Sequence, residues 1–308
     1  ALELKDIVKE SMVLVLGVTN PKNVKYAVKN NISLTCPSKE WFEETLKELE
    51  KVDGKLKFHI KLETGMNRIG TSEKKELMDI HNLFYSGKTE FEGIFSHYSN
   101  ADGEDDEYDD YQTANFNRLV ELFKFKPKYI HIDNSAGVIK YSDRDNICNL
   151  SRIGIALYGC YPSSNIEKLN KVSLEPVVSL VSKVTHVKKI LKGTKVGYGI
   201  SYEALEDEYI ATIPIGYADG LLRRAQGFKL NVAGEECEIV GRVCMDQLMV
   251  RCSKNTKVGD DVVFFGEYNK QKVSIDDFAA YQNTISYEVF CCINKRVPRK
   301  YYINNMEL

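Results

Sequence analysis

Arg152 stands alone in NLSRIGIALYG, residues 149–159, a run that is otherwise small and mostly apolar. An unpaired buried cation costs several kcal/mol, so either a carboxylate from elsewhere in the chain or a ligand must answer it. Other polar or titratable residues recur where apolar segments end: Lys61 and Arg68 in KLETGMNRIG, His97 closing FEGIFSH, and Asn134 and Ser135 in HIDNSAG. Ser135 follows an apolar segment and opens a helical pattern, an arrangement in which a hydroxyl and backbone N–H groups converge on an anion. Read without further context, NSAG is also an ordinary helix cap. Tyr198 lies between two glycines in KVGYGI, which suits either a turn or a phenol doing acid–base work. Cys244, in GRVCMDQ, has no histidine partner evident in the sequence and reads as a small pocket residue rather than a nucleophile.

Positioning these groups requires a scaffold. The first half alternates apolar strand patterns (residues 13–17, 32–36, 56–63, 91–97, 129–133 and 154–159) with helical apolar spacing in KNVKYAVKN, KEWFEETLKELEKV, EKKELMDIHNLFY and TANFNRLVELFKF. Strand–helix alternation implies a parallel sheet, and ligand chemistry gathers at one edge of such sheets. From about residue 173 the texture changes to alternating β patterns separated by Gly, Asn or Asp turns, so a boundary is expected near 172, with domains of 1–172 and 173–308. A closed parallel barrel needs eight strands, and six are found. At about 30 residues per unit, two units are unaccounted for. ALELKDIVKES at the start reads as the middle of a helix.

With 42 Lys+Arg against 44 Asp+Glu the charge is nearly balanced, and no basic stripe suits a nucleic-acid backbone. The eight cysteines show no C-x-x-C pair and no disulfide-frame spacing, which suits reduced thiols in a cytoplasmic protein. No apolar stretch approaches the roughly 18 residues of a membrane helix. Acidic GEDDEYDD, residues 103–110, reads as a solvated loop or helix start, and no metal site is expected.

KLETGMNRIG, HIDNSAG, SRIGIALYG, KVGYGISYE, IPIGYADGLLRR, GRVCMDQ, TISYEV and RVPRKYY follow one another in an order that resembles the bacterial alanine racemases dependent on pyridoxal 5'-phosphate, over essentially the whole chain. The resemblance implies an α/β fold: a TIM-type (β/α)8 barrel, here expected to lack its first units, followed by a mostly-β domain. It implies a cytoplasmic head-to-tail homodimer whose active sites are shared between subunits, interconverting L-alanine and D-alanine for peptidoglycan by a two-base Lys/Tyr mechanism. The family lysine that holds the cofactor as an aldimine precedes everything seen here, and no lysine of this chain sits in that motif.

By the same resemblance, Arg152 bonds the pyridine nitrogen of the cofactor, supported by His131, and His97 packs over the ring. Ser135, the N–H groups of Gly154 and Ile155, and the Tyr287 hydroxyl take the phosphate, with Asn134 beside them. Arg68 reaches the phenolic oxygen and steadies the substrate carboxylate. Lys61 matches a position that is carbamylated in many members, and a plain lysine paired with an acid is the alternative. Tyr198, from the partner subunit, is the second base. The Met245 N–H would hold the substrate carboxylate, with Cys244 and Asp246 beside it, while Tyr217 and Tyr287 narrow the pocket. A serine racemase of the same family, or a non-catalytic fragment or cofactor-binding protein, is the alternative. The retained Tyr287 favours alanine over serine.

Overall fold

The computed structural model describes residues 1–144, 147–303 and 306–307. It divides into two compact units, Ala1–Leu157 with Tyr161–Leu174, and Tyr158–Cys160 with Glu175–Leu308.

The first unit is a five-stranded parallel sheet in sequence order: β1 (Val13–Val15), β2 (Ile32–Cys36), β3 (Leu56–Lys61), β4 (Thr89–Phe95) and β5 (Tyr129–His131). A helix α1 (Leu2–Ile7) precedes it, and α2 (Val24–Lys29), α3 (Lys39–Leu49), α4 (Lys74–Leu83), α5 (Glu107–Val120), α6 (Ser135–Lys140) and α7 (Ser164–Lys168) follow. The strand period of two decides the layering. Leu34, Phe58, Ile60, Ile94 and Ile130 point to the helix side and join Phe42, Leu49, Leu77, Ile80, Phe116 and Leu119 in one core. Residues between them, Ser33, Thr35, His59, Lys61, Glu92 and His131, are buried and polar. Buried polar groups need partners, so this polar face is where the chain must either build a network or bind something. Caps fix the helix starts: Ser38 accepts from Trp41 N–H at the head of α3, and Asn134 Oδ1 from Gly137 N–H at the head of α6, each worth about 1 kcal/mol.

Two expectations are corrected here. Residues 154–159 are not a sixth strand: Ile155–Tyr158 is a 3₁₀ turn, and among the described residues the preceding segment has no ladder partner. Its N–H groups go elsewhere, Arg152 N to Asp133 O at 3.1 Å and Gly154 N to Ser135 Oγ at 2.8 Å. A short apolar run cannot be told from a strand by periodicity alone. In the acidic stretch residues 103–106 are loop and 107–110 are the first turn of α5, so loop and helix start both hold, but it is not simply solvated. Asp109 is fully buried and accepts from the Tyr141 hydroxyl at 2.6 Å.

The second unit is an antiparallel sheet. Its strands are β6 (Leu180–Lys183), β7 (His186–Ile190), β8 (Lys195–Val196), β9 (Tyr202–Glu203), β10 (Glu208–Ile213), β11 (Lys229–Val232), β12 (Glu235–Val240), β13 (Leu248–Cys252), β14 (Asp261–Tyr268) and β15 (Gln271–Val273). The main order is β15-β14-β11-β12-β13-β10-β7, with β6 also on β14 and a separate β8–β9 pair. Helices α8 (Ile275–Tyr281) and α9 (Ser286–Cys292) follow, and Phe264, Phe265 and Phe278 are fully buried.

Candidate active site

In the first unit the polar groups converge on Arg152. Its Nη2 donates to Ser96 O at 2.7 Å, to Ile132 O at 2.8 Å and to His97 Nδ1 at 3.0 Å, and its Nη1 donates to His131 Nδ1. A guanidinium has no acceptor, so both imidazole Nδ1 atoms must accept. Burial, followed by the charge of Arg152, pushes His131 down to about 2 and His97 down to about 4, with Arg68 and Lys61 adding to the effect at His97. Both rings are therefore neutral near pH 7. Burial pulls Arg152 itself down to about 10, with Asp133 opposing. Among the described residues no carboxylate makes an ion pair with Arg152.

Lys61 ends β3, buried, with Nζ donating to Leu62 O at 2.5 Å and lying 5.8 Å from the centre of the Phe95 ring. Burial lowers its pKa to about 8; Glu63 opposes, while Arg152 and Arg68 add to the lowering. Among the described residues it has no carboxylate partner within ion-pair distance. Arg68 is exposed on the loop after β3, and its charge acts on Lys61, His97 and Arg152.

Below these groups, Ser135 Oγ accepts from Gly154 N–H at 2.8 Å and from Ala156 N–H at 3.5 Å. Asn134 caps α6 and its Nδ2 donates to Tyr98 O at 3.4 Å, while Ile155 opens the 3₁₀ turn. A Cβ built on Gly154 would find only Ser135 Oγ, at 3.8 Å. The protein's own packing does not demand glycine there, so the open space beside a hydroxyl and backbone N–H groups fits a phosphate. A donor-only guanidinium facing an aromatic nitrogen fits the pyridine end of the same ligand.

In the second unit Tyr198 opens a 3₁₀ turn, Tyr198–Ile200, between β8 and β9. Gly197 and Gly199 flank it at φ +78° and +71°, a conformation that L side chains resist, and a Cβ on Gly199 would also strike Arg242 Nη1 at 2.7 Å. The two glycines leave the tyrosine 69% exposed. It lines a cleft of about 580 Å³ with Tyr217, Arg223 and Val243. The loop of Cys244, Met245 and Asp246 is pinned beside Tyr217: Tyr217 N–H donates to Cys244 O and Ala218 N–H to Met245 O, both at 3.0 Å. A Cβ at Gly216 would strike both carbonyl oxygens at 2.3 Å. Arg296 bridges Asp219 and Asp246. Cys244 Sγ donates to Arg242 O at 3.6 Å. Tyr287 lies on α9, partly exposed.

The structure thus brings Lys61, His97, His131, Asn134, Ser135, Arg152, Gly154 and Ile155 together in one unit, and Tyr198, Tyr217, Cys244, Met245 and Asp246 in the other. Sequence reasoning missed His59, Glu92, Asp219 and Arg296. The signal for the first two was present: charged or titratable residues at alternate positions of otherwise apolar strands.

Residues 1–162 match the alanine racemase N-terminal domain, and residues 177–301 match the alanine racemase C-terminal domain. The chain is 42% identical to the alanine racemase of Lactobacillus gasseri over 307 residues, 98% of this chain and 81% of that protein. It is 43% identical to that of Lactobacillus acidophilus over 302 residues, 96% of this chain and 79% of the relative. Its structure superimposes on the crystal structure of alanine racemase from Bacillus anthracis with a TM-score of 0.94 at 36% identity, covering 100% of this chain and 80% of the other.

Proposed function

The chain belongs to the alanine racemase family, and we propose how its residues divide the work. It interconverts L-alanine and D-alanine, as the naming of its relatives supports, and the serine and non-catalytic alternatives fall away. The observation that carries the site assignment is a half-buried cation, Arg152, whose direct partners are neutral imidazoles and carbonyls.

Pyridoxal 5'-phosphate, when bound, supplies the electron sink that weakens the Cα–H bond of the amino acid. Arg152 presents its donors to the ring nitrogen, and a group that can only donate keeps that nitrogen an acceptor. His131 braces Arg152, and His97 covers the ring. Ser135, with the N–H groups of Gly154 and Ile155 and with Asn134 ordering the helix start, takes the phosphate, and the resemblance adds the Tyr287 hydroxyl. Arg68 steadies the phenolic oxygen and the substrate carboxylate. As a carbamate, Lys61 is the anion that orients Arg68, whereas its ammonium form is repelled by that guanidinium. Its lowered pKa leaves a free-amine fraction at neutral pH, which can add dissolved CO₂ and release a proton to become a carbamate.

Racemisation needs one proton carrier on each face of the α-carbon. Tyr198 holds or returns the proton on one face, from the partner subunit of a homodimer. The other face belongs by resemblance to a lysine, a role given to none of the described residues. Met245 N–H meets the substrate carboxylate, Cys244 and Asp246 shape its loop, and Tyr217 with Tyr287 leaves room for a methyl side chain. We place the protein in the cytoplasm. Among the described residues no helix is long and apolar enough to cross a membrane.

The test is to incubate the protein, as the cell makes it, with pyridoxal phosphate and each alanine enantiomer, and to follow D-alanine with D-amino-acid oxidase. D-alanine should appear from L-alanine, and the reverse reaction should consume it. No interconversion in either direction overturns the reading.

A further inference from the structure

Asp133 is the carboxylate whose charge acts on Arg152, and a second carboxylate, Glu92, connects to it through a line of side chains. Behind Arg152, His131 Nε2 lies 3.0 Å from His59 Nδ1, and His59 Nε2 lies 3.2 Å from Glu92 Oε2. His59 and His131 are fully buried, and Glu92 is 6% exposed. Hydrogen-bond logic leaves this chain one direction. Arg152 can only donate, so His131 accepts at Nδ1 and carries its proton on Nε2. That proton goes to His59 Nδ1, so His59 carries its own proton on Nε2 and gives it to the carboxylate of Glu92. Both tautomers follow from the two ends.

Independent features show that the line is built. A Cβ on Gly93 would lie 2.1 Å from His59 Nδ1, so β4 leaves its side chain out where the imidazole must sit. The β3–β4 register shifts between Phe58 and His59, which re-aims that residue. Phe95 stacks on His131 and Tyr129 on His59, fixing both ring planes. At the far end Ser33 Oγ donates to Glu92 Oε2, and Lys57 Nζ stands 3.8 Å from Oε1. Burial pushes the Glu92 carboxyl up, but the bonds from His59 and Ser33 and the charge of Lys57 outweigh it, so the group stays anionic.

We infer that Glu92, acting through the hydrogen bonds of His59 and His131, is a positioning relay for Arg152. An anion at one end makes each imidazole a better acceptor at the next nitrogen, so the bond that reaches Arg152 is strengthened by a group that does not touch it. The relay holds the guanidinium in a single rotamer with its free donors turned to the ligand. This rests on the assignment of Arg152 to the cofactor nitrogen, while the order of protons in the chain does not.

Histidine-selective ¹⁵N NMR tests the order directly in the wild-type protein, with no variant needed. His131 and His59 should both show protonated Nε2 and bare Nδ1; an Nδ1-protonated form of either ring overturns the relay. In Glu92→Gln, which keeps shape and an acceptor oxygen but removes the charge, the ¹⁵N shift of His131 Nδ1 should move although Glu92 does not touch that ring. In the same variant kcat should fall by about tenfold or more with KM for alanine little changed, as for lost second-layer partners elsewhere, and Glu92→Asp should recover part of it. An unmoved His131 signal, or wild-type kcat in Glu92→Gln, overturns it. Failure of the cofactor reading looks different: correct tautomers and a moved signal, but no racemisation by the wild type.

Discussion

Gly154 and Ser135 meet through one hydrogen bond: the Gly154 N–H donates to Ser135 Oγ at 2.8 Å across 19 residues of chain. The bond ties the segment carrying Arg152 to the head of α6, and it leaves open the space where a Cβ of residue 154 would lie.

Gly154→Ala should therefore fold normally. Its Cβ would meet only Ser135 Oγ at an ordinary 3.8 Å, and Gly→Ala at a compatible position is worth about 0.4–1 kcal/mol in favour of the folded state. Cofactor affinity should nevertheless drop by about tenfold, because the methyl occupies phosphate space. Thermal melts of cofactor-free protein and a pyridoxal phosphate titration separate the two effects; unchanged affinity removes Gly154 from the phosphate site.

Tyr198→Phe should preserve the fold, since the side chain is 69% exposed. Loss of a general acid–base group costs about 10² to 10⁴ in rate. The loss should be unequal for the two enantiomers, read as solvent-deuterium exchange at Cα from L- and from D-alanine. An equal, small loss returns Tyr198 to a turn residue.

Arg152→Lys keeps the charge and loses the fork. An ammonium cannot reach Ser96 O, Ile132 O and both imidazoles together. Stranded buried acceptors cost about 1–3 kcal/mol each, so the cofactor-free variant should unfold at lower urea, and should also hold pyridoxal phosphate more weakly. A variant of wild-type stability and cofactor retention contradicts the network described.

Arg296→Ala should release Asp246 and Asp219 and loosen the Met245 loop. KM for alanine should rise by about threefold to tenfold while cofactor retention stays unchanged, the pattern expected when binding common to ground and transition states is lost. Steady-state kinetics beside a cofactor titration checks it; a kcat effect with unchanged KM argues for a different role.

Stability should fall with acid through the histidines. His131 is held down to about 2, against an ordinary histidine value of 6.5. The unfolded chain therefore binds more protons below about pH 6.5, and the contribution of a neutral buried His131 shrinks as pH falls. By pH 5 the linked loss is on the order of 2 kcal/mol. His97, held down to about 4, acts in the same direction, while burial-raised Asp109 and Asp133 act against it. Urea unfolding at two pH values measures the slope, and His131→Gln should lose its share. A slope identical in that variant contradicts the shift.

Much of the scaffold was legible. All five parallel strands fall where apolar runs predicted them, because the strand period of two is written locally. α5 was foreseen from Thr113 onward, and its acidic first turn was one of two readings of residues 103–110. Residues 154–159 were misread because their defining bond goes to Ser135, which no local pattern announces.

By itself the sequence determined the parallel α/β half, the β-rich half, the family motifs, and the need for something to answer Arg152. Only the tertiary structure decided what answers it. His59 and His131 lie 72 residues apart, and with Glu92 they meet because neighbouring parallel strands set their side chains on one buried face, while Arg152 reaches them from an irregular segment after the sheet. Periodicity reports which face a residue takes. Which residue stands beside it depends on strand order and register, and those are fixed by packing across the whole sheet.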